Sequence, residues 1–150
     1  MTGSGTHAQT PGGGTVWRYD FPSVSSHPPR SDFVLVEADP HDVLGSPTVY
    51  IKTRSVVGGK RQRTHTTITT VAALVSRYRS APVTDWPGDS VWQPRHGGGA
   101  VLVVGGVVVA EIEPLGAGWW VSAGWAGSDG VNGPLQEAKV RALELLAGST

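Results

Sequence analysis

Lys60, Arg61, Arg63 and His65 follow directly on the pair Gly58-Gly59 in the stretch VVGGKRQRTHTTIT (56–69). Consecutive glycines supply the positive φ angles of a tight two-residue turn. The basic side chains therefore fall at the tip and on the returning strand of a β-hairpin. A two-stranded ribbon fits a groove of duplex DNA, and a basic tip can contact phosphates. Gln62 and the hydroxyls of Thr64, Thr66 and Thr67 can add hydrogen bonds to phosphates or base edges. Lys52 and Arg54 sit two apart on the preceding strand and share one of its faces. Lys52, Arg54, Lys60, Arg61 and Arg63 are thus the candidate nucleic-acid contacts. Two plainer readings stand beside this one. Lys and Arg also blunt exposed strand edges, and Glu37, Asp39 or Asp42 can fold back to neutralise the tip.

The aromatic residues suggest a different class of function, capture of a protein partner. In WWVSAGW (119–125) strand alternation puts Trp119 and Trp125 on one face and Trp120 on the other. VWRYDF (16–21) carries Trp17 and Tyr19 and reads either as a short strand docking on the core or as a sticky peptide. Exposed Trp and Tyr anchor interfaces, so Trp17, Tyr19 and Trp120 are the candidate partner contacts. The alternative is that other segments cover both faces.

Enzyme chemistry has little to stand on. Glu111 and Glu113 lie two apart on a strand and could hold a divalent metal or do acid–base work, but no third carboxylate or lysine is placed beside them. The histidines (7, 27, 41, 65 and 96) show no metal-ligand spacing. There is no cysteine, hence no thiol nucleophile and no disulfide. No nucleophile elbow, phosphate loop or dinucleotide fingerprint occurs. The expectation is a binding protein with no catalytic residues, no cofactor and no metal.

The elements that must position these residues follow from periodicity and turn residues. The 150 residues include 21 Gly and 11 Pro, which implies short elements with many turns. Residues 1–31 are expected to be a flexible tail and linker, beginning with a disordered Gly/Ser/Thr/Pro stretch. DFVLVEA (32–38) and TVYIKTRSVV (48–57) read as strands. TVAALVSRYRS (70–80) suits a short helix with Thr70 as N-cap, although a continued strand through Leu74 competes. Residues 81–99 read as an irregular crossing. AVLVV-GG-VVVAEIE is a second glycine-turned hairpin, followed by the strand 119–125. PLQEAKVRALELLA (134–147) is a helix whose stripe is Leu135, Ala138, Ala142 and Leu145/Leu146. The fold expected is α+β, an antiparallel sheet with one or two helices packed on one face. Residues 32–147 would form a single domain, or two β-β-β-α halves, 32–80 and 100–147.

Charge is balanced overall, with 12 basic and 12 acidic residues. It is not balanced locally: residues 43–84 hold seven Lys or Arg and no Asp or Glu. The longest apolar run, AVLVVGGVVVA, has 11 residues, well short of the ~20 a membrane helix needs. The N-terminal stretch has no apolar core of the signal-peptide kind. A soluble, cytoplasmic protein is expected.

The segment VVVAEIEPLGAGWWVSAG…GPLQEAKVRALELL resembles small proteins of actinobacterial phages and their hosts, which join a hairpin, a G-W strand and an E-A-K helix. A phage factor that captures a host protein is the example this resemblance offers for the partner-binding reading. The β-β-β-α order is also similar to the sheet and last helix of double-stranded-RNA-binding domains, without their first helix and paired lysines. Neither resemblance assigns a role to any residue.

Overall fold

A computed structural model describes residues 11–148. The fold is α+β, as expected, and its strands divide between two antiparallel sheets. The chain separates into two compact units. The first comprises residues up to Ala81 together with Asp85–Pro87, and the second comprises Pro82–Thr84 and the chain from Gly88 onward.

The first unit is built on one long strand. β1 (Val16–Asp20) pairs with β2 (Arg30–Val36), and β2 pairs with β4 (Ser46–Val57). β3 (His41–Val43) and the return strands β5 (Lys60–Arg61) and β6 (His65–Thr70) also pair with β4. β7 (Arg79–Ala81) closes the other side on β1. Ile51 of β4 pairs with Val36 of β2 and with Thr67 of β6, so β2 and β6 flank β4 on opposite sides. Helix α1 (Val71–Arg77) begins where β6 ends, and the Thr70 hydroxyl accepts the Ala73 N–H at 3.1 Å. The competition between helix and strand over 70–80 is therefore resolved at Thr70.

The central strands bury apolar residues on both faces, Val16, Phe33 and Leu35 on one and a larger cluster on the other. Trp17, Val34, Val36, Val49 and Ile51 form a core there with Leu74 of α1, and Val71 and Tyr78 pack against it. Burying one such aliphatic side chain contributes about 1.5–3 kcal/mol.

Two expectations about the N-terminal third need correction. Residues 16–20 are not part of a flexible tail. They form β1, paired on both sides, because Val16 and Trp17 bury completely between neighbouring strands. The Pro-rich stretch 22–29 is then the connection of a β1–β2 hairpin, not an interdomain linker. Of the stretch expected to be disordered, which runs to about residue 15, residues 1–10 lie outside the described residues, whereas the Gly14 N–H donates to the Val36 carbonyl at 2.8 Å and Thr15 is buried.

The second unit is a five-stranded meander in the order β12-β11-β10-β9-β8. Its strands are β8 (Ser90–Pro94), β9 (Ala100–Val104), β10 (Val107–Leu115), β11 (Gly118–Ser122) and β12 (Ser128–Val131). Helix α2 (Leu135–Gly148) packs on β10, β11 and β12. Ala138, Ala142 and Leu146 are fully buried, with Leu135 and Leu145 at the margin, which is the stripe expected. β8 and β12 lie in stretches that read as irregular or loop. Both are edge strands, and an edge tolerates Pro94 because it does not need every ladder donor. The strand expected over 119–125 ends at Ser122. Trp125 falls in a short 3-10 segment beyond that strand.

Candidate functional site

The Gly58-Gly59 turn has the geometry the sequence requires. Both residues have positive φ (58° and 78°), and Val57 faces Lys60 across the turn. Lys60 and Arg61 are neighbours on a strand and point to opposite faces of the sheet. After Arg61, residues 62–64 oppose only Ser55 and Arg54 of β4, because the next pair is His65 with Thr53. This is a one-residue bulge, and it carries Arg63.

The tip does not project. Arg30 of β2 pairs with Val57, and the Gly58 N–H donates to the Pro29 carbonyl at 2.7 Å. A third strand therefore backs the hairpin up to its turn. A free ribbon lying in a DNA groove, the first form of the expectation, does not fit this geometry. What the hairpin offers is one corner of a sheet.

The five candidate cations separate into two groups. Lys52 lies 3.9 Å from the Glu37 carboxylate. Arg54 donates from Nε to the Gln62 carbonyl (2.7 Å) and from Nη1 to the Pro87 carbonyl (2.8 Å). It braces the bulge and ties down the 85–87 segment, and its guanidinium is already engaged. Lys60, Arg61 and Arg63 are exposed and make no ion pair or side-chain hydrogen bond with any described residue. The acidic residues that might have covered them are engaged elsewhere. Asp20 bonds Arg18, Ser31 and Arg79, Asp32 bonds Arg30 and Ser55, and Asp85 meets Arg18. Asp39 accepts the Gly13 N–H and Asp42 the Gly45 N–H.

The structure adds residues that sequence reading left out. α1 has only seven residues and covers one end of the face that carries the Trp17 core. Toward the hairpin tip that face continues uncovered by the helix. Strand registers place Tyr19, Asp32, Ser55 and Gln62 in one cross-sheet row. The next row is Phe21, Arg30, Val57 and Lys60, since the Phe21 N–H bonds the Arg30 carbonyl. Tyr19 packs edge-on against Phe21, with centroids 4.9 Å apart, and against Tyr78 at 6.4 Å. Arg77 lies over Tyr19 (4.7 Å) and Arg30 over Phe21 (4.5 Å). Arg77 makes no ion pair with a described residue. Burial, helped by the Asp32 carboxylate, pushes the Tyr78 phenol above its ordinary value, so it stays a neutral hydroxyl. The visible signal was the i, i+2 aromatic spacing of Tyr19 and Phe21. The contribution of Arg77 and Tyr78 depends on a fold-back that no local pattern encodes.

The partner-binding candidates separate as well. Trp17 is 2% exposed and its indole N–H donates to the Thr15 hydroxyl at 3.0 Å. It is a core residue and cannot anchor a partner. Tyr19 is half-buried in the aromatic row. Trp120 is 37% exposed on β11, between Glu113 of β10 and Gly130 of β12. Glu111 and Glu113 both reach Arg95, each at 3.3 Å. A guanidinium thus occupies the position where a divalent metal would have to sit. Among the described residues no three or more His, Asp or Glu side chains are grouped so as to hold a metal ion. No described helix is long and apolar enough to cross a membrane.

No protein-family model, curated protein or solved structure matches the chain.

Proposed function

We propose that this chain is a non-enzymatic binding protein whose ligand is nucleic acid, held by its phosphates on Lys60, Arg61 and Arg63. One observation carries the reading. These three cations are exposed and unpaired, while every Asp and Glu of the same unit is engaged elsewhere. Unpaired charges repel one another modestly in the free protein, and a polyanion relieves that repulsion. Phosphate contacts of this kind also release counterions, which drives binding at low salt. Because Lys60 and Arg61 point to opposite faces, the backbone wraps the corner of the sheet.

The test is fluorescence anisotropy with labelled oligonucleotides, first at low salt and then across a salt series. Each of Lys60→Ala, Arg61→Ala and Arg63→Ala should weaken binding about equally for all sequences and shallow the salt slope by roughly one unit. Lys52→Ala, whose ammonium already has an acidic neighbour, should change it less. A parent protein that binds neither DNA nor RNA at low salt ends this reading.

A second reading rests on Trp120, whose ring stands exposed on the second unit. Capture of a protein partner there would respond weakly to salt and would be lost in Trp120→Ala.

A further inference from the structure

Between the β1–β2 connection and the sheet lies a cleft of ≈ 310 Å³. Its apolar walls include Phe21, Val24, Pro28 and Val57, and its polar members are His27 and Arg30. The volume is at the small end of ligand pockets. Pro28 and the hairpin approach closely here. A methyl group on Gly58 would come 3.2 Å from the Pro28 Cβ.

Three features converge on this cleft. It shares Phe21, Arg30 and Val57 with the cross-sheet row that ends at Lys60. Three strand spacings of ~4.8 Å separate Phe21 from Lys60, so a chain seated at one reaches the other. The Arg30 guanidinium carbon lies 4.5 Å from the Phe21 ring centroid, and a guanidinium offers a plane with N–H donors on which bases stack as they do on aromatic rings. The cations beside it complement a phosphate chain.

We propose that the cleft receives one unstacked base of a single-stranded nucleic acid, held against Phe21, Pro28 and the Arg30 guanidinium, while Lys60 and Arg61 take the adjoining phosphates. This rests on the phosphate-binding reading above and narrows its ligand. Bases of a duplex are paired and stacked and cannot enter the cleft. A strand without bases has nothing to insert.

The experiment compares three probes of equal length by anisotropy at one low salt concentration: oligothymidylate, a fully abasic strand, and a duplex. Oligothymidylate should bind about tenfold more tightly than the abasic strand, the scale of a single stacked base, and more tightly than the duplex. Arg30→Lys keeps the charge but loses the plane and the fork of donors. It should remove most of that preference and leave abasic binding unchanged, whereas Lys60→Ala should weaken oligothymidylate and abasic strands alike. Val24→Ala, at an exposed wall of the cleft, supplies a variant with little risk to folding and should lower the preference in the same sense. Equal affinity for oligothymidylate and abasic strands would overturn the base site while leaving phosphate binding intact. Tighter binding of the duplex would overturn it too. Absence of binding to all three probes would remove both readings together.

Discussion

Leu44 is fully exposed, with φ 51°, at the apex of the β3–β4 turn. A leucine there incurs the steric cost of left-handed backbone and buries nothing. Asn tolerates that conformation and suits turns. Leu44→Asn should therefore raise stability by about 0.5–1 kcal/mol, read as a higher urea midpoint at unchanged m. A fall in the midpoint would mean that the leucine has a contact the fold does not account for. Asp20 presents the opposite situation. The Ser31 hydroxyl and the Arg18 guanidinium hold its carboxyl below the ordinary value of 3.8. A carboxylate depressed on folding stabilises above its unfolded pKa, and that contribution is lost as pH falls through the folded value. The acid limb of the stability profile should flatten in Asp20→Asn, with the side-chain pKa itself followed by carboxyl NMR. Because Asp20 is partly exposed, the effect is moderated by solvent. At this scale the basic tip was legible, since Gly-Gly followed by Lys-Arg has a mechanism behind it. Trp17 was misread because a short aromatic stretch beside a Pro-rich segment looks the same whether it docks or dangles. Only the pairing of β1 on both sides decides that.

Among the elements, α1 sets the extent of the candidate surface. Its seven residues bury Leu74 over Trp17 and Ile51, and its end leaves the Tyr19–Phe21 rows uncovered. The Thr70 cap secures its start. Thr70→Ala should cost about 1 kcal/mol in thermal or urea unfolding, and amide exchange over 72–75 should quicken first. Unchanged stability would mean the cap is dispensable. In the other unit, Ala138 and Ala142 are small because α2 lies close on the sheet. Ala142→Leu should destabilise by about 1–3 kcal/mol through overpacking, which differential scanning calorimetry would register. A neutral result would place slack at that interface. The long helix and the two glycine hairpins were readable because period 3.6 and Gly-Gly turns are local signals. The edge strands β8 and β12 were not. They are short and rich in Ser, Gly and Pro, and pairing with the adjoining strands β9 and β11 gives them their extended form.

For the whole molecule, neutrality conceals a partition. The first unit carries nine Lys or Arg against six Asp or Glu, a charge of +3, and the second carries three against six, a charge of −3. The excess of the first unit equals the number of unpaired cations at its hairpin. Charge repulsion therefore discourages a polyanion from the second unit while the first attracts it. This predicts where amide shifts appear when ¹⁵N-labelled protein is titrated with oligothymidylate at low salt. They should centre on residues 19–30, 57–65 and 77–78 and be absent from β8 to β12. Raising salt should reverse them together, because counterion release drives the contact. The triple variant Lys60→Ala/Arg61→Ala/Arg63→Ala should lose them at salt concentrations where the parent still binds. Shifts clustered instead around Trp120, Val91 and Val108, and persisting at high salt, would locate the interacting surface on the outer face of the second sheet. The three unpaired cations would then be a solvated corner of the fold.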